Sequence, residues 1–375
     1  MKRAVQLRCA LLGVLVVLLH AGVLSAQVRQ EIRLPDILGY KTLKCDFHMH
    51  TVFSDGSVWP TVRVDEAWRE GLDVISITDH IEYHPHKDDV PTKLNRPYEI
   101  ALPRAKDRGI LLVRGAEITK DTPPGHFNAI FIEDATPLDT NDLLDVMAAA
   151  SKQGAFIWWN HPNWKPDKKG WLDIHTELCE KKYMRGIEVV NGLDYEAEVH
   201  EWALAKNLTF MGNTDLHDPC PVDKTTLERH RPMTLVFAKA KTLEDLKDAL
   251  MNGRTVVWHN DQLIGQRKYL QAIYEKAVAI RDIDYEGEDI VRFALENNCD
   301  ISLKLERAGD VGPKELVVPG NGKALFKLKV KSVESPTELS YIVQNLLVGP
   351  NKGLPVSFTI PGQVTVNIGV GLSQQ

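Results

Sequence analysis

Two histidines separated by one residue, His48 and His50, close a short apolar run. On an extended chain alternate side chains point the same way, so both imidazoles face one side and form a chelating pair for zinc, manganese or iron. Asp55 follows in Ser54-Asp55-Gly56, a turn that could offer a carboxylate to the same ions or simply reverse the chain. The pairing of acid and imidazole recurs in Asp79-His80 and in Asp215-Leu216-His217. Glu117 ends another apolar run, and its two oxygens can bridge two ions. His126 and His161 add further donors, and Pro162 fixes the chain just after the second of them. Acids and imidazoles held away from water need compensation, and divalent cations supply it. His48, His50, Asp55, His80, Glu117, His126, His161, Asp215 and His217 exceed the needs of one ion. The expectation is therefore a centre of two or three divalent ions, with Glu117, Asp215 and His217 nearest the reaction.

These residues need elements to gather them. Strand-like runs cover 43–47, 73–78, 110–118, 127–132, 155–159, 186–190, 208–212 and 233–237, and helical periodicity covers 142–153, 171–183 and 196–207. Strands alternating with helices imply parallel pairing and an α/β architecture. Seven or eight such units point to a closed barrel, whose strand C-termini share the face that carries chemistry. Nearly every candidate ligand stands at such an end, so residues scattered over much of the chain would meet at one mouth. A helix at 243–252, a strand at 254–258 and a helix at 270–279 follow. Beyond about residue 282 short strands at 301–305, 316–318, 324–330, 339–343 and 356–360 predict a small all-β sandwich.

The motifs Cys45-Asp46-Phe47-His48-Met49-His50-Thr51, Ser54-Asp55-Gly56, Ile77-Thr78-Asp79-His80, Gly115-Ala116-Glu117, Asn160-His161-Pro162 and Asn213-Thr214-Asp215-Leu216-His217 resemble those of the polymerase and histidinol phosphatase (PHP) family. The resemblance implies a distorted (β/α)7 TIM-like barrel with a di- or trinuclear metal centre, and phosphoesterase activity. Carried over motif by motif, it implies one ion held by His48, His50, Glu117 and Asp215, a second by Asp55, His80 and His217, and a third by Glu117, His126 and His161. Asp55 stands where some members carry histidine. The resemblance is to exported bacterial members with a β-rich C-terminal domain. It implies hydrolysis of phosphate mono- or diesters by hydroxide activated at the metal centre.

Substrate contacts are expected beyond the ligands. His84 and His86 follow the second strand in a loop that would emerge on the ligand face, Trp164 could wall the pocket, and Arg231 could meet a phosphate. The remaining histidines, His175, His200, His230 and His259, read as ordinary surface or core residues.

Residues 1–26 have the layout of an export signal: Lys2, Arg3 and Arg8, an apolar run, then Leu24-Ser25-Ala26. An uncleaved anchor is the alternative. Removal of this segment takes three of the 45 basic residues and none of the 51 acidic ones, moving the net charge from −6 to −9. That balance argues against a nucleic-acid polymer as partner, which needs a basic footprint, and favours a small-molecule phosphate ester drawn in by bound cations. The expected organisation is a signal at 1–26, a hydrolase barrel at 27–280 and a β-rich domain at 281–375, periplasmic or secreted, with no membrane span after signal removal. Cys45, Cys179, Cys220 and Cys299 show no CxxC spacing, which argues against a thiolate zinc site and for small buried thiols or one disulfide. Two other functions stay open: hydrolysis of carboxylic esters, lactones or amides by the same chemistry, and a secreted binding protein in which metals are structural.

Overall fold

The computed structural model describes residues 28–165, 170–221 and 230–363; the export signal read from residues 1–26 lies outside them. The barrel is formed by β1 (Lys41–Asp46), β2 (Val74–Ile77), β3 (Leu111–Thr119), β4 (His126–Ile130), β5 (Phe156–Trp159), β6 (Gly186–Asn191), the short β7 (Asp194–Tyr195), β8 (Thr209–Asn213) and β9 (Met233–Ala238). Strands covered on both faces read as continuous apolar runs, and all four residues of β2 are buried.

Helices α1 (Pro60–Arg69), α2 (Arg96–Arg108), α3 (Leu143–Lys152), α4 (Asp173–Glu180) and α5 (Ala197–Ala205) connect strands around the barrel, and α6 (Leu243–Met251) follows β9. Caps set their starts: Asp142 accepts from the Asp145 amide at the head of α3 and Thr242 from the Asp245 amide at the head of α6. Neither α1 nor α2 is among the helices expected from the sequence. Both open on proline, which the first turn tolerates, but α2 also carries Pro103 inside, a residue that ordinarily ends a helix.

Pairing runs β9-β1-β2-β3-β4-β5-β6-β8. The parallel expectation holds for β1 with β2, β2 with β3, β5 with β6 and β6 with β8. It fails at two strands, which distorts the barrel. β4 is antiparallel to both neighbours, with Thr119 opposite His126, and β9 is antiparallel to β1. At the closing edge a side chain completes the junction: the Thr234 hydroxyl accepts from the Gly212 amide and donates to the Gly212 carbonyl, each at 2.9 Å.

After β9 the sheet continues through β10 (Thr255–His259) and β11 (Gln262–Gly265), and α7 (Arg267–Ala277) leads directly into β12 (Val278–Glu286). The β-rich part adds β13 (Ile290–Asn297), β14 (Leu303–Arg307), β15 (Glu315–Val318), β16 (Gly322–Lys329), β17 (Thr337–Gly349) and β18 (Lys352–Ile360). β12, β13 and β16 form one sheet, and β14, β15, β17 and β18 belong to the other. That second sheet is joined to the barrel by parallel pairing of β11 with β17, Leu263 opposite Leu346. Phe293 and Phe326, opposite each other on β13 and β16 of the first sheet, stack at 4.5 Å.

Candidate metal centre

Every candidate ligand reaches one end of the barrel. His48 and His50 extend from β1, His80 follows β2, Glu117 lies in β3 and Asp215 and His217 follow β8. His126 arrives differently. It is the first residue of antiparallel β4, so the strand begins at the mouth where its neighbours end. Gly56 is required by close approach, since a Cβ there would lie 2.6 Å from the His50 carbonyl carbon. Two ligands occupy backbone that L-residues rarely adopt, His161 at φ 27° and Asp215 at φ 52°. Such conformations persist where the surroundings over-determine them and cluster at functional sites.

Glu117 is the hub and is fully buried. Its Oε2 lies 3.3 Å from His48 Nε2, 3.2 Å from His50 Nε2 and 3.1 Å from His80 Nδ1. Its Oε1 faces His126 Nδ1 at 3.1 Å and His161 Nε2 at 3.7 Å, and accepts from Asn160 Nδ2 at 3.0 Å. Asp215 Oδ1 sits 3.1 Å from His48 Nε2 and 3.0 Å from His50 Nε2. Asp55 meets His217 Nε2 at 3.3 Å and His80 Nε2 at 3.4 Å. Burial alone would depress the His50 imidazole, but Asp215 and Glu117 outweigh it and lift it to about 10. His48 and His161 are raised in the same way against burial, His48 by Asp215, Glu188 and Glu117. Burial would raise the Glu117 and Asp215 carboxyls, yet the imidazoles around them hold both well below the carboxylate range.

A supporting layer orients these groups. Glu188, in β6, takes His48 Nδ1 at 2.9 Å, the His161 amide at 3.0 Å, and the side-chain amides of Asn191 and Asn213, each at 2.9 Å. Fixing Nδ1 turns His48 Nε2 towards the ligand cluster, the usual carboxylate–histidine arrangement behind a metal ligand. Asp79 accepts from the Thr51 amide and hydroxyl and the Ser54 hydroxyl, so it braces the loop behind His50 and is not itself grouped with the ligands.

The cluster opens into a cavity of about 460 Å³ lined by Tyr83, Lys120, Trp164 and Lys165 among the ligands. Trp164 is 57% exposed, with its ring 5.3 Å from that of His126. Three expected substrate contacts lie elsewhere. Arg231 is buried, bonding Asp46 Oδ2 at 3.0 Å and Glu70 Oε2 at 2.7 Å, so its charge is already neutralised. His84 is held between the carbonyls of Phe53 and Ile81, and His86 is exposed; neither lines the cavity.

A solved two-domain protein from Bacteroides vulgatus, described as containing a predicted PHP-like metal-dependent phosphoesterase, superposes with a TM-score of 0.85 at 43% identity, covering 90% of this chain and 100% of that one. This chain belongs to the PHP-like family. A family model for an Ig-like domain matches residues 278–359, where the antiparallel sheets lie. A proposed metal-dependent phosphoesterase from Bifidobacterium adolescentis aligns at 16% identity and TM-score 0.40, over 56% of this chain and 96% of that one. An amidohydrolase from Chromobacterium violaceum aligns at 16% and 0.37, over 47% and 88%. Neither of these two carries an argument about activity. No curated protein matches the chain.

The donor set of this PHP-like chain fits divalent cations. Four groups each bring their ligand atoms within 4.8 Å of one another: His50, Asp55, His80 and His217; His48, His50 and Glu117; His48, His161 and Asp215; and His80, Glu117 and His126. Imidazole nitrogens and carboxylate oxygens at such spacing suit zinc, manganese or iron, and ligation would displace the protons now shared between them. The grouping differs in detail from the sets implied by family resemblance. His161 joins His48 and Asp215, because Glu188 holds its amide and its ring stacks on His48 at 5.8 Å; His80 takes its place beside Glu117 and His126.

Proposed function

We propose that this chain is an exported metal-dependent phosphoesterase that hydrolyses phosphate mono- or diesters of small molecules, acting in the periplasm or outside the cell. The observation that carries the reading is the convergence of six histidines and three carboxylates on one open mouth in a PHP-like barrel. Zinc, manganese or iron bound there, two or three ions in number, would supply Lewis acidity towards phosphoryl oxygens and a water of lowered pKa.

The chain's own residues divide the remaining work. Glu117 and Asp215 each present oxygens to more than one imidazole and hold the cluster together. His217 stands at the rim with its side chain 37% exposed and its Nδ1 2.7 Å from the Asp215 carbonyl. A proton on Nδ1 is thereby committed to that carbonyl, which leaves Nε2, 3.3 Å from Asp55, to ligate beside that carboxylate or to pass a proton. Lys165 and Lys120 lie in the cavity wall, Lys120 already paired with Glu82 at 2.6 Å, and Trp164 and Tyr83 give the wall two aromatic faces. A cavity of about 460 Å³ has the size of a small-molecule site. Among the described residues no helix is long and apolar enough to cross a membrane.

The test is turnover of para-nitrophenyl phosphate and bis-para-nitrophenyl phosphate by metal-depleted protein, with manganese, zinc or iron restored. Metal-dependent release, abolished in His48→Ala, is the expected result, and the ratio between the two substrates assigns mono- or diesterase. A protein that binds ions but releases nothing from either ester would overturn the phosphoesterase reading and favour carbon-centred esters, lactones or amides.

A further inference from the structure

Arg63 lies on the inner side of α1 with no exposed surface. A guanidinium carries five N–H donors, and here each has an acceptor. Nε donates to the His50 carbonyl at 2.9 Å. Nη2 donates to the carbonyls of Leu216 at 2.9 Å and His217 at 2.7 Å. Nη1 donates to the Asp218 carbonyl at 2.8 Å and to Glu66 Oε2 at 2.9 Å. Four of the five acceptors are main-chain oxygens of the two segments that carry His48/His50 and Asp215/His217.

Those segments meet only at the barrel end. The His50 amide donates to the Leu216 carbonyl at 3.0 Å, the Ser57 amide to the His217 carbonyl at 2.9 Å, and a single bridge pairs Met49 with Leu216. The turn at Asp215 is in the left-handed region, its amide donates to the His48 carbonyl at 2.9 Å, and past Leu216 the bridge does not continue as a named strand. One turn further along α1, Glu66 Oε1 accepts from the Cys220 amide at 2.7 Å and extends the grip further along the same loop.

We propose that Arg63 is a positioning residue that sets the separation of these two segments and so shapes the ligand group His50, Asp55, His80 and His217. It touches none of the four side chains. A buried guanidinium is expensive, and where only packing is at stake an apolar residue of similar size serves as well or better. Planar geometry is what the location uses, because carbonyls from four residues are gathered on one fork. Lysine, with three donors on one nitrogen, cannot reproduce it.

The proposal rests on the metal-centre reading, and one experiment separates the two. Full-length Arg63→Met, Arg63→Lys and Glu66→Gln are stripped of metal and titrated with manganese or zinc alone by calorimetry, with bound ions counted by mass spectrometry and folding followed by circular dichroism. Both Arg63 variants are expected to fold and to bind one ion at least tenfold more weakly, or to lose it, while the remaining ion binds as in the parent. Their kcat towards para-nitrophenyl phosphate should recover as metal is raised, with KM within twofold. Glu66→Gln keeps the carbonyl bonds of Arg63 and should keep its ions. Unchanged ion number and affinity in folded Arg63→Met would overturn the proposal. So would equal loss in Glu66→Gln, which marks general loosening of α1, and so would failure of both Arg63 variants to fold. A parent that binds no ions would instead overturn the metal-centre reading itself.

Discussion

Two clusters of buried charge begin on the same strand end, one at Asp46 and one at His48. At Asp46 the partners are a permanent cation, a hydroxyl and main-chain amides: Arg231 bonds both Asp46 and Glu70, and the Thr214 hydroxyl and the amides of His48 and Thr214 donate to Asp46. Burial still pushes the Asp46 carboxyl up despite Arg231, whereas Arg231 overcomes burial at Glu70 and holds that carboxyl down. At His48 the partners of the carboxylates are imidazoles, whose charge depends on the protons they carry. The first cluster is closed by residues that cannot give up their charge. The second is held by groups that can exchange a proton for a metal ion. Depth is therefore no guide to function here; the titratability of the partner is.

The sharpest test of that contrast is to remove one charged group from each side. Asp215→Ala should lower kcat roughly 10²–10³-fold or more, as expected when a cation that would support transition-state charge loses its ligand, and should lower the ion count without unfolding the barrel. Arg231→Met should do the reverse. It strands two buried acids, which costs about 3–5 kcal/mol, readable as a lower urea midpoint, while KM for para-nitrophenyl phosphate in the folded fraction stays unchanged. A raised KM with unchanged stability would return Arg231 to the substrate.

Acid should separate the histidines into the same two kinds. His175, His200, His230 and His259 are lowered by burial, His200 to about 4. A depressed imidazole takes up its proton more readily when unfolded, so its contribution is full above pH of about 6.5 and is lost as pH falls towards 4. For His200 this amounts to roughly 2–3 kcal/mol. Urea midpoints at pH 7 and pH 5 should differ less in His200→Phe than in the parent; equal differences would remove His200 from the explanation. The smallest effect is expected at the rim, where Trp164→Ala should raise KM for an aryl phosphate about two- to tenfold, the scale of one aromatic contact, and leave kcat and ion content alone. His84→Ala should change none of these.

The cluster of candidate ligands was legible because most of them are polar residues beside an apolar run, and apolar runs mark strands whatever their direction. Direction was not read at β4, although the link between Thr119 and His126 is too short for a crossover between parallel strands. Glu188 was missed although Ile187-Glu188-Val189 holds a clear signal, an acid inside a buried strand that must have a partner. Arg231 was misjudged from the usual exposure of arginine, since Asp46 and Glu70 stand 185 and 161 residues away in sequence. Arg63 escaped because α1 did. The two added strands of the β-rich part, β12 and β13, escaped because the helical pattern before them ends at Ala277 without a glycine or proline stop.

The parallel seam between β11 and β17 bears on how such a molecule could be divided or inherited. Cutting the chain after α7 would not release a smaller enzyme with a clean surface. It would leave β11 with an unmet row of amides and carbonyls, the kind of edge that recruits other chains. The Ig-like part therefore cannot be exchanged like a bead on a string, and a gene that lost it would have to invent another cover for that strand.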